Sequence, residues 1–190
     1  MRKLKLQVQM TVDGFIAGPQ GEMDFLTVSW DDPLKQYVTE LTKSIGGIVL
    51  GRKLAEGFIP HWAAVAANPD HPEHAAGRIF SDTPKVVFTR TLAASPWSGT
   101  VLAKGALTDE IGQLKAQAGA DLIAYGGAAF VSALIREGLI DEFHLFVNPA
   151  ARGAGKPIFA ALNEKQDLRL VRALPFACGI VVLHYEPKRR

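Results

Sequence analysis

The sequence has little of two features that assign a protein class at once, cysteine and excess charge. With one cysteine, Cys178, the chain cannot form an intrachain disulfide, and this absence is typical of proteins in a reducing compartment. The apolar neighbours of Cys178 favour a packed thiol over a nucleophile. The formal net charge is +2, from 21 basic and 19 acidic residues. Three of the basic residues form the C-terminal KRR, so the remaining chain is close to neutral, which argues against nucleic-acid binding.

Long apolar runs are also absent. No run approaches the roughly 20 residues that span a bilayer. The start, MRKLKLQVQMTVDG, alternates polar and apolar residues and lacks the apolar core of a signal peptide. We therefore expect a cytoplasmic protein without a membrane partner. The 190 residues, of which 48% are hydrophobic, predict a single domain over residues 1–190.

What the sequence does contain is an alternation of short apolar runs with amphipathic runs, which predicts strands that alternate with helices. Strands are predicted at LKLQVQM, GGIVLG, KVVFTR, LIAY and FHLFV. Helices are predicted from Asp31-Asp32-Pro33, over RKLAEGF, from Thr108 as an N-cap, and between Gly127 and Gly138. This order predicts an α/β fold in three layers, with a mostly parallel sheet covered by helices on both faces.

Two segments depart from the alternation. Residues 59–81 contain three prolines and three histidines and predict a long irregular excursion. The last two predicted strands, at 168–174 and 179–185, have no helix between them. We expect these two strands to pair as an antiparallel C-terminal hairpin, which makes the sheet mixed.

Glycine-rich or basic segments follow three of the predicted strands. They are Gly51-Arg52-Lys53, Thr89-Arg90 and Gly126-Gly127. In open α/β sheets, ligands bind outside the carboxyl ends of the strands, and glycines, helix N-termini and cations there all suit phosphate. Each segment alone is equally typical of a solvated or tight turn that binds nothing. Three such segments at equivalent positions favour a dinucleotide, and the extra arginine favours NADPH.

The segments TVDGFIAG, GIVLGRKLAEGF, KVVFTRT and IAYGGAAFVSALIREGLIDEFHLFVNPAARGAGKPIF occur in the order found in dihydrofolate-reductase-like proteins. The sequence resembles the branch that includes the C-terminal reductase domain of the bifunctional riboflavin-biosynthesis enzyme and its stand-alone relatives. The resemblance covers nearly the whole chain. It implies an NADPH-dependent reductase of a pteridine or a ribosylated pyrimidine, a small heterocyclic substrate, and a homodimer.

The resemblance also implies roles for individual residues. Gly51, Arg52 and Lys53 would bind the cofactor phosphates. Thr89 and Arg90 would contact the adenosine 2′-phosphate. Gly126, Gly127, Ala128 and Ala129 match the pyrophosphate loop. Ile16 and Ala17 match the loop beside the nicotinamide. In the family the glycine pair is joined by a cis peptide bond. The sequence departs from the family pattern at Leu54 and Ala55, where a threonine and an aromatic residue are common, so one hydroxyl for the pyrophosphate is missing.

Hydride transfer to a C=N or C=O group leaves an anion, so a nearby proton donor assists it. The resemblance implies a carboxylate on the first helix, and Asp32 falls nearest, with Asp24 and Asp31 as rivals. The pattern favours Asp32 as a cap of that helix over a proton donor. Asp13, in the turn VDG, is a further carboxylate near the expected cleft.

Other polar and aromatic side chains carry weaker signals. Trp30, His61 and Trp62 are candidates for the wall of a flat heterocycle, although loop aromatics commonly serve packing. The motif DHPEH invites a metal interpretation, but its proline disrupts helical ligand spacing, and we expect no metal site. The strand residues His144 and His184 are interpreted as structural.

Two other functions are compatible with this sequence. One is a non-enzymatic NADP(H)-binding protein that has kept the cofactor loops without the substrate chemistry. The other is an interaction module whose basic turns bind no cofactor.

Overall fold

The computed structural model describes residues 1–188 as an eight-stranded sheet with five helices. The strands are β1 (Leu4–Thr11), β2 (Ile45–Gly51), β3 (Lys85–Phe88), β4 (Thr100–Ala103), β5 (Asp121–Ala124), β6 (Glu142–Asn148), β7 (Leu168–Pro175) and β8 (Val181–Pro187). The helices are α1 (Asp32–Lys43), α2 (Arg52–Ala67), α3 (His74–Asp82), α4 (Leu107–Ala116) and α5 (Ala128–Arg136).

The strand order across the sheet is β4-β3-β2-β5-β1-β6-β8-β7. Neighbours from β4 through β6 are parallel, whereas β8 is antiparallel to both β6 and β7. The predicted mixed sheet with an antiparallel C-terminal pair is therefore confirmed. The parallel part gives one edge of the sheet at which the carboxyl ends of β1 to β6 meet, called here the carboxyl edge.

Apolar residues on both sheet faces build three layers. Helices α4 and α5 pack on one face through Ile111, Val131 and Leu134, which are all fully buried. Helices α1, α2 and α3 pack on the other face around a second and a third apolar cluster. The predicted covering of both sheet faces is therefore confirmed. Parallel strands that are apolar on both faces need helices on each side to exclude solvent.

The predicted irregular segment at residues 59–81 is wrong. Helix α2 runs 16 residues, through Pro60, and α3 follows after a short turn. A proline inside a helix removes one backbone hydrogen bond and crowds the preceding turn. The burial of Ala55, Ile59 and Val65 on one face of α2 outweighs that cost.

Two smaller features also differ from the sequence predictions. Thr108 does not cap α4, because the N-cap position is Ala106 and Thr108 lies in the first turn. Strand β4 was not predicted, since its four residues form too short a run for period-two alternation to be visible. It pairs with β3 and extends the sheet by one edge strand. Within residues 1–188, no helix has both the length and the apolarity needed to cross a membrane.

Candidate functional site

The three predicted phosphate-binding segments lie side by side at the carboxyl edge. Strands β3, β2 and β5 are consecutive in the sheet, and Gly51 pairs with Phe88, so that Gly51 and Thr89 end neighbouring strands. Val49 pairs with Ala124 on the other side, which aligns the ends of β2 and β5. The sheet order therefore brings together segments that are separated by up to 75 positions in the sequence.

Two helices begin at this edge without side-chain caps. Gly51 is the N-cap residue of α2 and Gly127 that of α5, and neither helix start has a side-chain cap hydrogen bond. By contrast, the Asp31 carboxylate accepts a hydrogen bond from the backbone N–H of Leu34 and caps α1 at 3.0 Å. The first N–H groups of α2 and α5 therefore remain available to an anion, toward which the helix dipoles also point.

The glycine pair has φ angles that favour glycine, 145° at Gly126 and 78° at Gly127. No cis peptide bond occurs in residues 1–188, so the cis bond implied by the family resemblance is wrong here. A trans bond is the more stable form, and positive φ angles at two glycines suffice to turn the chain from β5 into α5. A Cβ at Gly127 would lie 3.7 Å from the Cβ of Leu54.

Leu54 therefore packs beside the glycine pair, at the position where family members commonly have a hydroxyl. The ideal Cβ of Gly126 would lie 3.8 Å from a Leu54 methyl group. A Cβ at Gly51 would meet the Cβ of Phe130 at 2.8 Å, so this position accepts only glycine without movement of α5. The floor of the candidate site is thus glycine backbone set against apolar side chains.

The basic residues predicted for phosphate lie at the rim. Arg52 is partly exposed and pairs with Glu56 one turn along α2, whereas Lys53 and Arg90 are exposed. Thr89 is buried, and its hydroxyl accepts hydrogen bonds from the backbone N–H groups of Thr91 and Leu92, both at 3.2 Å. Thr89 therefore shapes the turn that presents Arg90.

Ile16 and Ala17 lie beside the same edge, on the loop that follows β1. The N–H of Ile16 donates to the carbonyl of Lys156 at 3.1 Å, and the N–H of Lys156 donates to the carbonyl of Ala17 at 2.8 Å. The Ile16 side chain is buried in the apolar core. A ligand at this loop would thus meet its backbone and Ala17 rather than the Ile16 side chain.

Three of the four carboxylates considered as proton donors are engaged in the fold. Asp31 caps α1 and also accepts from the backbone N–H of Cys178 at 3.0 Å, and the Leu34 N–H is the main cause that lowers its pKa. Asp24 pairs with Arg152. The Thr11 hydroxyl, followed by the Gly153 N–H, lowers the pKa of Asp13 to about 2.

Asp32 is the fourth carboxylate, and its side chain is 96% exposed. It pairs with Lys35 at 3.3 Å on the first turn of α1. Because α1 ends immediately before β2 begins, its first turn lies at the carboxyl edge. Asp32 therefore shares that edge with the phosphate-binding segments, and its role as a proton donor stays a prediction.

The aromatic residues suggested for a heterocycle wall make packing contacts. Trp30 stacks on Phe146 with ring centroids 6.1 Å apart. Trp62 packs against Phe80 at 4.4 Å, and His61 meets the edge of Trp62 at 4.9 Å. Trp62 thus belongs to the apolar cluster under α2 and α3.

Arg152 is a residue at this edge that the sequence analysis did not single out. Its guanidinium pairs with Glu22 at 2.9 Å and with Asp24, and its backbone N–H donates to Asp13 at 2.9 Å. Arg152 thereby ties the loop after β6 to the loop after β1. The motif NPAARGAGKPIF contains it, and that motif was the available signal.

A surface depression of about 630 Å³ lies at the opposite edge, lined by residues that include Ile135, Gly138, Leu162 and Lys188. Gly138 precedes β6, which places the depression at the amino ends of the strands. Helix α5 ends at this depression rather than beginning there, and within residues 1–188 no helix N-terminus is among the lining residues. We therefore place the candidate site at the carboxyl edge, where ligands of open α/β sheets bind.

Comparisons with known proteins support this description of the fold. Uncharacterized protein YyaP of Bacillus subtilis (strain 168) is 30% identical over 186 residues, which cover 97% of this chain and 94% of YyaP. A diaminohydroxyphosphoribosylaminopyrimidine deaminase/5-amino-6-(5-phosphoribosylamino)uracil reductase from Thermotoga maritima superposes with a TM-score of 0.70 at 17% identity, over 98% of this chain and 57% of that enzyme. Dihydrofolate reductase from Enterococcus faecalis, complexed with NADP(H), superposes with a TM-score of 0.63 at 15% identity, over 98% of this chain and 97% of that enzyme.

The family model described as the RibD C-terminal domain matches residues 2–182, nearly the whole chain. The resemblance stated from the sequence motifs is therefore confirmed, and so is the dihydrofolate-reductase-like fold. The chain belongs to the RibD C-terminal domain family, and its fold is that of reductases.

Proposed function

We propose that this protein is an NADPH-dependent reductase of a pteridine or a ribosylaminopyrimidine-type heterocycle. One observation carries the proposal. Three glycine-rich or basic segments end neighbouring parallel strands, and two of them open helices that have no side-chain cap. This arrangement offers several anion sites in a row, as a dinucleotide requires. The NADP(H) complex of the Enterococcus faecalis enzyme and the reductase named for Thermotoga maritima support the same assignment.

The residues at the carboxyl edge fit the cofactor's phosphates. We assign the pyrophosphate to the N–H groups that follow Gly126 and Gly127, including those of Ala128 and Ala129. Gly51 allows α2 to start close to α5, since a side chain there would collide with Phe130. When bound, NADPH would supply the hydride.

The adenosine half of NADPH is assigned to the basic rim. Arg52, Lys53, Thr89 and Arg90 provide this rim, and the exposure of Lys53 and Arg90 leaves both side chains able to reach a phosphate. The extra 2′-phosphate of NADPH carries nearly two negative charges at neutral pH, as phosphate monoesters do. Arginine binds such a group through two parallel hydrogen bonds, which favours NADPH over NADH.

We assign the substrate to the space between the loop at Ile16 and Ala17 and the first turn of α1. Asp32 is proposed as the proton donor, directly or through water. The lowered pKa values of Asp13 and Asp31 keep these two groups ionised, so they hold no proton to give. Of the four carboxylates considered, Asp32 is the one that neither caps a helix nor anchors a loop.

A second candidate function is NADP(H) binding without catalysis. The exposure of Asp32 favours it, because a carboxylate that is 96% exposed is not enclosed in a pocket that would hold it against a substrate. Leu54 also stands where family members commonly have a hydroxyl for the pyrophosphate. The two candidates share a cofactor site and differ only in turnover.

Calorimetric titration with NADPH and with NADH tests the cofactor. Loss of reduced-nicotinamide absorbance in the presence of a dihydropterin or a ribosylaminopyrimidine tests turnover. Reductase function predicts NADPH binding together with turnover that falls when Asp32 is changed to Asn. Binding without turnover on either heterocycle class would support the second candidate. If neither nucleotide binds, both the reductase and the NADP(H)-binding candidates are overturned. The remaining candidate is then an interaction module without a cofactor.

A further inference from the structure

A buried polar cluster lies on β6 and β8, on the sheet face covered by α1. It consists of Glu142, His144 and His184, whose side chains are 9%, 5% and 15% exposed. His144 and His184 are directly paired across the antiparallel strands, and their rings stack with centroids 4.3 Å apart. Glu142 lies two residues before His144, and therefore on the same face.

One carboxylate oxygen faces both imidazoles. Glu142 Oε2 lies 3.4 Å from His144 Nε2 and 3.8 Å from His184 Nε2, and one donor atom from each residue lies within 4.8 Å of the others. His184 Nε2 is buried and has no hydrogen-bond partner within residues 1–188. On β1, the neighbouring Gln7 is paired in register with His144 and has a buried Oε1 that is likewise unpartnered in this range.

Other side chains hold these donors in place. The Tyr37 hydroxyl makes a 2.7 Å hydrogen bond with Nδ1 of His144, which leaves Nε2 directed at Glu142. Lys3 binds the other carboxylate oxygen, Oε1, at 2.6 Å and so fixes the orientation of Glu142. Partners of this kind on the far side of a ligand are the usual second layer of protein metal sites.

We propose that Glu142, His144 and His184 form a binding site for a divalent transition metal, with Zn²⁺ as the ion that the donors fit. Two imidazoles and one carboxylate are a common zinc donor set, with a fourth position left for water or a further side chain. Gln7 Oε1 is placed on the adjacent strand to serve there. The site is separate from the carboxyl edge, since Glu142 begins β6, and it does not rest on the proposed function.

The distances approach those around a four-coordinate ion, and binding would turn the stacked imidazole rings so that both lone pairs reach it. Bonds of about 2.0–2.1 Å at tetrahedral angles place neighbouring ligand atoms about 3.3 Å apart. The two carboxylate–imidazole separations, 3.4 and 3.8 Å, exceed that value by at most half an ångström, and all three donor atoms lie within 4.8 Å of one another.

Nearby cations set the limit on affinity. Lys5 lies 3.6 Å from Glu142 Oε2 and is itself held by Asp121 at 3.2 Å, while Arg172 is the register partner of His184 on β7. These charges repel a metal ion. We therefore expect removal of Arg172, which is exposed and donates no ligand, to strengthen metal binding.

Metal binding at this cluster would join β6 to β8 and, through Tyr37, to α1. Binding to the folded chain alone raises its stability by mass action. The expected role is therefore structural, as a clamp that fastens the antiparallel C-terminal strand pair to the parallel part of the sheet.

The test is calorimetric titration of Zn²⁺ into metal-free full-length protein, with Co²⁺ absorption as a report on coordination geometry. The wild type is expected to bind one Zn²⁺ and to give the visible absorption of tetrahedral Co²⁺. His184→Ala should weaken Zn²⁺ at least tenfold, Arg172→Gln should strengthen it, and the control His61→Ala, which removes an exposed histidine of α2, should leave it unchanged.

Circular dichroism checks that each variant is folded, and His184→Gln replaces the alanine variant if that variant does not fold. Tyr37→Phe adds a second readout, because losing the hydrogen bond to His144 should weaken Zn²⁺ without unfolding the chain. A wild type without a saturable Zn²⁺ site would overturn the proposal. So would equal Zn²⁺ affinity in the wild type and the folded His184 variants.

Discussion

Gly127 and Gly138 flank α5 and offer a matched pair of substitutions for the cofactor proposal. Both have positive φ angles, 78° at Gly127 and 64° at Gly138, so alanine is strained at either position. Gly127 lies at the carboxyl edge beside Leu54, while Gly138 follows the other end of the helix, at the opposite edge. Gly127→Ala should weaken NADPH binding about tenfold or more, and Gly138→Ala should leave NADPH affinity unchanged.

The cost in stability is expected to be small and similar for the two variants. A Cβ at Gly127 would lie 3.7 Å from Leu54 Cβ and 3.9 Å from Phe130 Cβ, which are ordinary contacts, and a Cβ at Gly138 meets nothing within 4 Å. The remaining cost is backbone strain of about 1–2 kcal/mol, against a typical total of about 5–15 kcal/mol. Each variant should therefore fold, with Tm lowered by about 2–8 °C.

The cost in binding should fall on Gly127 alone. The N–H groups that follow Gly127 are assigned to a charged phosphate, and a backbone shift that relieves alanine of a φ of 78° would displace them. A hydrogen bond to a charged group contributes about 1.5–3 kcal/mol. Loss of one such bond weakens binding about tenfold or more. Calorimetric titration with NADPH, together with thermal unfolding, measures both quantities. Equal NADPH affinity in folded Gly127→Ala and wild-type protein would remove the glycine pair from the site.

Three further predictions use the same protein. Replacing Arg52 and Arg90 together with alanine should weaken NADPH at least tenfold and NADH only slightly, because a charge-assisted contact to the 2′-phosphate contributes about 1.5–3 kcal/mol; equal losses in titrations with both nucleotides would mean that the arginines bind the shared pyrophosphate. Asp31→Ala should lower Tm by about 2–4 °C through loss of the α1 cap, whereas Asp32→Ala should change Tm by less than about 1 °C; the reverse order in thermal unfolding would contradict the assigned cap. Because the folded-state pKa of Asp13 is lowered from 3.8 to about 2, its charge stabilises the fold above pH 3.8, and this contribution is lost as the pH falls toward 2. Asp13→Asn should therefore be less stable than the wild type at neutral pH, with a difference that shrinks across that window in denaturant titrations; a constant difference would contradict the lowered pKa.

Local pattern in the sequence was sufficient for most elements of the fold. Alternation identified β1, the acidic residues before Pro33 identified the start of α1, and Gly138 marked the end of α5 with its positive φ. These signals work because side-chain period and capping chemistry are properties of a few consecutive residues. The same reliance on local signals caused the error at Pro60, where burial of one helix face outweighs a breaker.

For the candidate site, the sequence determined which segments carry glycine and positive charge, and the motifs indicated the family. Tertiary structure decided which segments are neighbours. The order β3-β2-β5 places Gly51 between Thr89 and Gly126, and no local signal contains that order. The tertiary structure also shows that Asp31 caps α1, whereas Asp32 faces solvent.

The polar cluster on β6 and β8 shows the same division most clearly. The sequence presents His144 and His184 as isolated polar residues in apolar strands, forty positions apart. Antiparallel pairing of β8 with β6 stacks their rings, and parallel pairing of β1 with β6 sets Lys5 beside Glu142 across 137 positions. Period and composition are set by neighbours along the chain, whereas strand pairing is set by the burial of whole faces, so contacts between distant residues exist only once the sheet has formed.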